Sequence, residues 1–362
     1  VAAGEDGLAR AGGGAGGVAL GGHESGISSA TFSPDGTRVV TAGGYSVQLW
    51  DVASGVRLAF LNSHEGVVWS AVFSQDGTRV LTASADGLAK LWDVASGEVL
   101  TVFSGHGGGV NTAFFSPDET QVVTASEDRT ARLWNVDTGE EQTVLAAHDG
   151  NVKSAKFSPD GTLVVTVDEI GPARLWDSAS GQELDQLGVG TGYVWYATFS
   201  PDGTRVLTAS DQRYALSRFG GGATAYIWDS LSGEELAVLA GHDGSILSAP
   251  FSPDGTRVVT ASDDGTARLW DAGTGIELAV LRGHDSGVVS AAFSRDGTQV
   301  LTTSNDMTAR VWQLQPANLS GEAQHRLRRE PTDIIPDFCV RYFQDAPDDC
   351  PDTLAKLFPE GD

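Results

Sequence analysis

Tryptophan recurs along this chain as Trp50, Trp92, Trp134, Trp176, Trp228, Trp270 and Trp312, at spacings of 42, 42, 42, 52, 42 and 42 residues. A period held this strictly means that one supersecondary unit is repeated, and that each copy buries a face against its neighbour. The sixth unit serves as the type: GHDGSILSAPFSPDGTRVVTASDDGTARLWDAGTGIELAVL. It contains four short apolar runs, SILSAPF, TRVVTAS, TARLWDA and IELAVL, rich in the β-branched and aromatic residues that suit strands. Between them stand SPDG, SDDG and AGTG, where glycine supplies the positive φ of a tight reversal. One unit is therefore expected to be an antiparallel meander of strands a, b, c and d.

Such a sheet has two apolar faces and cannot bury both alone. Radial stacking buries each against the next sheet. Seven units account for residues 18–313 without remainder. The expected fold is all-β: a seven-bladed β-propeller of four-stranded antiparallel blades. Residues 1–17 (Gly/Ala-rich) read as a flexible lead-in. After Trp312 the chain reads QLQPANLSGEAQ, with no turn and strand of the usual kind. Val18-Ala19-Leu20-Gly21-Gly22 before His23 matches Val238-Leu239-Ala240-Gly241 before His242. The N-terminal segment is therefore expected to supply strand d of the seventh blade and close the ring. Residues 314–362 form a C-terminal extension expected to pack on the propeller or on a partner. Ile334, Ile335, Phe338, Val340, Tyr342 and Phe343 give it more apolar surface than a solvated tail carries, and its prolines prevent a long helix.

Composition narrows the function classes. The net charge of −25 opposes phosphate backbones and anionic lipid surfaces, so nucleic acid is not an expected partner and basic proteins are favoured. No apolar run approaches the roughly 20 residues of a membrane span, so no direct membrane insertion is expected. The chain reads as soluble, with an intracellular setting slightly favoured. It begins with Val1, as a processed form or a piece of something longer would. The two cysteines, Cys339 and Cys350, lie outside the repeats and form either a disulfide or two inert thiols. They lack the companion histidines of a zinc site.

Gly-His about 28 residues before Trp-Asp resembles the WD-repeat proteins. The histidines are His23, His64, His106, His148, His242 and His284, and the pairs are Trp50–Asp51, Trp92–Asp93, Trp176–Asp177, Trp228–Asp229 and Trp270–Asp271. The resemblance covers about four-fifths of the chain. It implies that Ser262, Asp264, Trp270 and His242, with the sets Ser84/Asp86/Trp92/His64, Ser126/Asp128/Trp134/His106 and Ser304/Asp306/Trp312/His284, form buried structural networks rather than catalytic triads. Three units depart from the pattern. The first has a shortened turn at Ala42-Gly43-Gly44, the fourth has Asp168 and Ile170 where Ser and Asp are expected, and the fifth has Gly190 in place of His. These three are expected to lose the network. No catalytic, cofactor or metal residues are assigned, since Asp-Gly turns spread around a ring do not converge as calcium ligands.

The resemblance also implies partner contacts three and five positions after Gly-His. The third position gives, among others, Asn151 and Tyr193. The fifth gives Trp69, Asn111, Lys153, Trp195 and Leu247. Trp69 and Trp195 are the two tryptophans beyond the structural seven, and aromatics at a rim are common binding hot spots. The fifth unit's insert, 211–223, places Arg213, Tyr214, Arg218 and Phe219 on the same expected face. The expected function is a non-catalytic protein–protein interaction scaffold, a subunit or docking module of a larger assembly. Two other readings stand beside it: a sensory or regulatory module of a longer chain, and a small-ligand binder or enzyme using the channel. The last finds no nucleophile–base pair to support it.

Overall fold

The structure is a computed structural model that describes residues 2–3, 8–11, 18–23, 25–62, 64–188, 193–210, 223–306 and 308–314. The chain divides into two compact units, Val1–Gln186 and Leu187–Asp362. The first unit opens with an antiparallel sheet of β1 (Ala2–Ala3), β2 (Leu8–Ala11) and β3 (Val18–Gly21). Four-stranded meanders follow. They are β4 (Ile27–Phe32), β5 (Arg38–Gly43), β6 (Ser46–Asp51) and β7 (Arg57–Leu61); then β8 (Val68–Phe73), β9 (Arg79–Ser84), β10 (Leu88–Asp93) and β11 (Val99–Ser104). The third is β12 (Val110–Phe115), β13 (Gln121–Ser126), β14 (Ala131–Asn135) and β15 (Glu141–Leu145). The fourth is β16 (Val152–Phe157), β17 (Leu163–Asp168), β18 (Ala173–Asp177) and β19 (Glu183–Leu187).

The second unit holds β20 (Val194–Phe199), β21 (Arg205–Ser210), β22 (Thr224–Asp229) and β23 (Glu235–Ala240); β24 (Ile246–Ser248), β25 (Arg257–Ser262), β26 (Ala267–Asp271) and β27 (Glu277–Leu281); and β28 (Val288–Phe293), β29 (Gln299–Ser304) and β30 (Ala309–Gln313). These seven meanders are the blades of a seven-bladed β-propeller. β24 is short because Pro250, at the fifth position of that strand, has no N–H for the ladder.

The turns explain the spacing of the strands. In each a–b turn one aspartate accepts hydrogen bonds from its neighbours. Asp76, for example, takes the Ser74 hydroxyl at 2.6 Å and the Thr78 N–H at 2.9 Å. Those bonds hold the Asp76 carboxyl down at about 2, with the serine contributing most. The carboxylate oxygens of these Asp-Gly turns are thus engaged by the turn itself.

Strands b and c are the most buried of the meanders, and the core lies between neighbouring sheets. Leu81, Ala83, Leu91 and Phe103 of one sheet pack with Val110, Val122 and Trp134 of the next. Fully burying one Leu or Phe side chain contributes roughly 1.5–3 kcal/mol, whereas one net hydrogen bond contributes about 1 kcal/mol. Apolar stacking therefore supplies most of the stability, and the polar networks fix the register.

One expectation is corrected. Val18–Gly21 does form a strand, but β3 pairs with β2, and β28–β30 is a three-stranded sheet among the described residues. The lead-in contains its own strand at Leu8–Ala11. Pairing with it closes a short loop, which costs far less chain entropy than pairing with residues some 290 positions away. The residues of the tail from 315 on, with Cys339 and Cys350, lie outside the described residues. So do Gly190 and the insert residues Arg213, Tyr214, Arg218 and Phe219.

Candidate functional site

Each blade bonds its tryptophan to a strand-b threonine, and in five of them a relay runs on from there to an aspartate. The Trp92 indole N–H donates to Thr82 Oγ1 at 2.9 Å, and the same threonine meets His64 Nε2 at 2.8 Å. His64 Nδ1 then faces Asp86 Oδ2 at 2.8 Å. A carboxylate can only accept, so Nδ1 carries the proton, Nε2 accepts from the threonine hydroxyl, and every donor in the chain is used. The arrangement recurs through Thr124, His106 and Asp128, through Thr260, His242 and Asp264, and through Thr302, His284 and Asp306.

The relay differs from the expected set in one member. The hydroxyl between Trp and His belongs to the threonine two residues before the expected serine. Ser84 Oγ instead accepts from the Asp86 N–H at 3.2 Å and braces the turn. All seven tryptophans donate to such a threonine, including Trp50 to Thr41, Trp176 to Thr166 and Trp228 to Thr208. The threonine stands at the same place in every strand b, where by itself it reads as an ordinary β-former.

The fourth blade keeps the network that its sequence was expected to lose. Asp168, fully buried, stands at the serine position and reaches His148 Nδ1 at 3.0 Å. Burial alone would raise its pKa. Hydrogen bonds from His148 and from the Ile170 and Gly171 N–H groups outweigh it and hold the carboxyl below its usual range. The first blade keeps His23 on Thr41 at 2.7 Å, with the Ser46 hydroxyl at 3.0 Å in place of a carboxylate. Burial lowers the pKa of His64, His106 and His242 and outweighs the aspartates that would raise it; burial also lowers His23. These imidazoles are neutral, enclosed and saturated. Their geometry locks strands b and c to the loop before strand a.

Glycine makes room for this loop. A Cβ on Gly241, at φ +156°, would stand 2.7 Å from Arg268 Nη1. One on Gly244 would stand 2.5 Å from the Asp264 backbone nitrogen. A side chain at Gly241 would have to push the Arg268 guanidinium aside, and one at Gly244 would displace the backbone of the relay's Asp264.

The expected contact slots share one local geometry. In every strand a, the pairing with strand b skips one residue. Val68 opposes Ser84 and Ser70 opposes Ala83, so Trp69 is an unpaired bulge residue. Asn111, Lys153, Trp195 and Leu247 occupy the same bulge in their strands. A bulge turns its side chain out of the pleat, and here it does so next to the loops that lead into strand a.

What the bulge residues do differs. In the first unit Trp69 is 43% exposed, and Lys153 Nζ pairs with Glu169 at 3.0 Å on the surface. Asn111 is half-buried and donates to the Val152 carbonyl at 2.8 Å, which ties one strand a to the next. Asn151 is half-buried, and its carbonyl accepts from the Glu169 N–H at 3.2 Å. Glu65 and Asp149 stand exposed on the loops before strand a, and Glu127 and Glu169 on the b–c turns. In the second unit Trp195 is 40% exposed while its indole N–H donates to the Ile246 carbonyl at 2.6 Å. Tyr193 and Leu247 are half-buried beside it in sequence and strand order.

No helix among the described residues is long and apolar enough to cross a membrane. The family model described as "IFT122 first beta-propeller" matches residues 26–219, more than half of the chain. The model described as "WD domain, G-beta repeat" matches residues 233–271 and 275–313. No curated protein matches the chain.

Proposed function

The chain belongs to the WD-repeat β-propeller family, and from that premise we propose that it is a non-catalytic protein-interaction scaffold, a subunit or docking module of a larger assembly. The observation that carries this reading is the pair of large aromatics, Trp69 and Trp195, each held at a strand-a bulge and each about two-fifths exposed. A rigid strand holds such a side chain at low entropic cost, and a tryptophan gives a partner a wide apolar contact. Trp195 is further fixed by its bond to Ile246. Acidic loop residues surround the slots of the first unit, which suits a partner surface rich in Lys and Arg. The matched description speaks of a first propeller, which supports a module that works among others. The insert 211–223, with Arg213, Tyr214, Arg218 and Phe219, is a second proposed contact.

The test is affinity capture with the intact chain and with a Trp69→Ala/Trp195→Ala double variant, both checked by circular dichroism. Capture of a protein by the first and its loss from the second supports the reading. Equal capture by both folded forms overturns the assignment of the slots, and a folded intact chain that captures nothing overturns the scaffold role.

A further inference from the structure

Successive a–b turns rest on one another. A Cβ on Gly77 would stand 3.4 Å from Pro34 Cδ of the turn before it, one on Gly161 3.4 Å from Pro117 Cδ, and one on Gly297 3.6 Å from Pro253 Cδ. An arginine that opens strand b reaches across such a junction. Arg79 Nη2 pairs with Glu119 at 2.7 Å. Arg257 Nη2 donates to the Gly297 carbonyl at 2.9 Å. Arg38 Nη2 lies beside Gly77, 3.8 Å from where a Cβ would be. Arg79 and Arg257 also stand over Phe115 and Phe293, the last residue of the neighbouring strand a, at 5.6 and 5.8 Å from the ring centroids.

Glutamine replaces arginine where the β12–β13 turn meets the β16–β17 turn. Gln121 opens β13, and its side-chain amide donates to Gln142 Oε1 of its own blade at 2.6 Å. A cavity of about 300 Å³ lies at this junction, lined by Ser116, Pro117, Asp118, Gln121, Asp160 and Gly161. Ser116, Pro117, Gln121 and Gly161 are the counterparts of Ser33, Pro34, Arg38 and Gly77, which meet at the first junction. The cavity is thus the place that a guanidinium fills elsewhere in the repeat.

Its lining suits a cation. Asp118 and Asp160 are followed three residues on by the neutral Gln121 and Leu163, whereas Asp35, Asp76, Asp202 and Asp254 are followed there by arginine. Hydrogen bonds from Ser116 and Thr120 hold the Asp118 carboxyl below its usual range, and those from Ser158 and Thr162 do the same for Asp160. In both turns the donors gather on Oδ1. Among the described residues Oδ2 meets only the threonine hydroxyl, at 3.0 Å in Asp118 and 2.9 Å in Asp160. The Gly161 carbonyl accepts from the Ser178 hydroxyl at 2.7 Å and keeps a second lone pair.

We propose that this cavity receives one arginine side chain of a partner protein, its guanidinium lying as Arg79 and Arg257 lie at their own junctions and donating to Asp118, Asp160 and the Gly161 carbonyl. The planar fork of arginine carries enough donors for acceptors on both turns, whereas lysine offers a point charge that is harder to strip of water. At about 300 Å³ the cavity is at the small end of ligand sites and admits a side chain rather than a bulky ligand. The arginine is borne by a peptide chain because the α-carboxylate of the free amino acid would meet the two aspartates. The cavity follows the end of strand a, and the tryptophan slots lie near its start, so this is a contact separate from theirs.

The probe is N-acetyl-arginine methylamide, whose only charge is its guanidinium, and the amide chemical shifts of the full chain are followed as it is added. The expected result is saturable movement of the Gly161 and Thr162 N–H signals, with binding at least about fivefold weaker for N-acetyl-lysine methylamide. Gln121→Arg supplies the guanidinium from the chain itself. It should melt about 1–3 °C above Gln121→Met and abolish the response to the arginine probe. Absence of saturation, equal affinity for the two probes, a response that persists in Gln121→Arg, or a Gln121→Arg chain less stable than Gln121→Met would each overturn the proposal. Trp69 and Trp195 are untouched in these experiments, so the result is independent of the capture test above.

Discussion

Seven indole N–H groups end on seven threonine hydroxyls, and in five blades the chain runs on through a histidine to an aspartate. A buried donor left without a partner costs about 1–3 kcal/mol. Thr82→Val keeps the shape and removes the acceptor for Trp92 and the donor to His64. It should lower stability by roughly 2–4 kcal/mol, while Ser84→Ala, which removes one brace of the turn, should lower it by about 1 kcal/mol. Denaturant midpoints at unchanged slope give the comparison; equal losses would contradict the relay as drawn. The same residues set a pH response. Burial depresses the folded-state pKa of His23, His64, His106 and His242 below 6.5, the value in the unfolded chain. Between the two values the unfolded state binds more protons, so stability is complete above about 6.5 and falls as pH drops through the folded values. Melting temperature should therefore fall from pH 7.5 to 5.5, and His242→Gln should flatten that slope. A melting temperature unchanged over that range would contradict neutral imidazoles.

The turns that join strands carry the clearest local departure from the repeat. Glu119 stands where the other a–b turns have glycine, at φ 56°, and its carboxylate pairs with Arg79 at 2.7 Å on the adjoining sheet. It also accepts from the Gln75 backbone N–H. Strain and contact oppose each other at this position. Glu119→Ala keeps the left-handed backbone and loses the pair, whereas Glu119→Gly relieves the backbone and loses the same pair. The glycine variant should be the more stable of the two by about 1 kcal/mol, read from their denaturation midpoints; the reverse order would show that the backbone here is unstrained. Strand count and order could be read from the sequence because turn residues punctuate every unit. Threonine's place in the relay could not, since Thr in strand b reads as ordinary β-formers until register sets it against Trp and His. Leu8–Ala11 was hidden for a different reason. Its neighbours are mostly glycine and alanine, and its partner was assigned to the opposite end of the repeats.

Across the whole molecule, the 42-residue period gave blade number because the strands of each unit must present the same faces to their neighbours; extra length is accommodated between strands, as between Ser210 and Thr224 of the fifth unit. The positions counted five residues on from Gly-His fall on the strand-a bulges, and their role as contacts is a proposal. What each slot does was less legible: Asn111 and Trp195 bond the next strand a, which only coordinates reveal. Charge is the remaining property that belongs to the molecule as a whole. At −25 it attracts a basic partner over distances set by salt, with a screening length of about 10 Å at 0.1 M and about 3 Å at 1 M. Under the proposed contact role of Trp69 and Trp195, association with a captured partner should slow as salt rises, while dissociation, set by those two side chains, should change little. Trp69→Ala/Trp195→Ala should do the opposite, raising the dissociation rate and leaving the salt dependence of association intact. Surface-based kinetics on the intact chain and the double variant separates the two. An association rate indifferent to salt would mean that the acidic surface does not steer the partner and serves solubility instead.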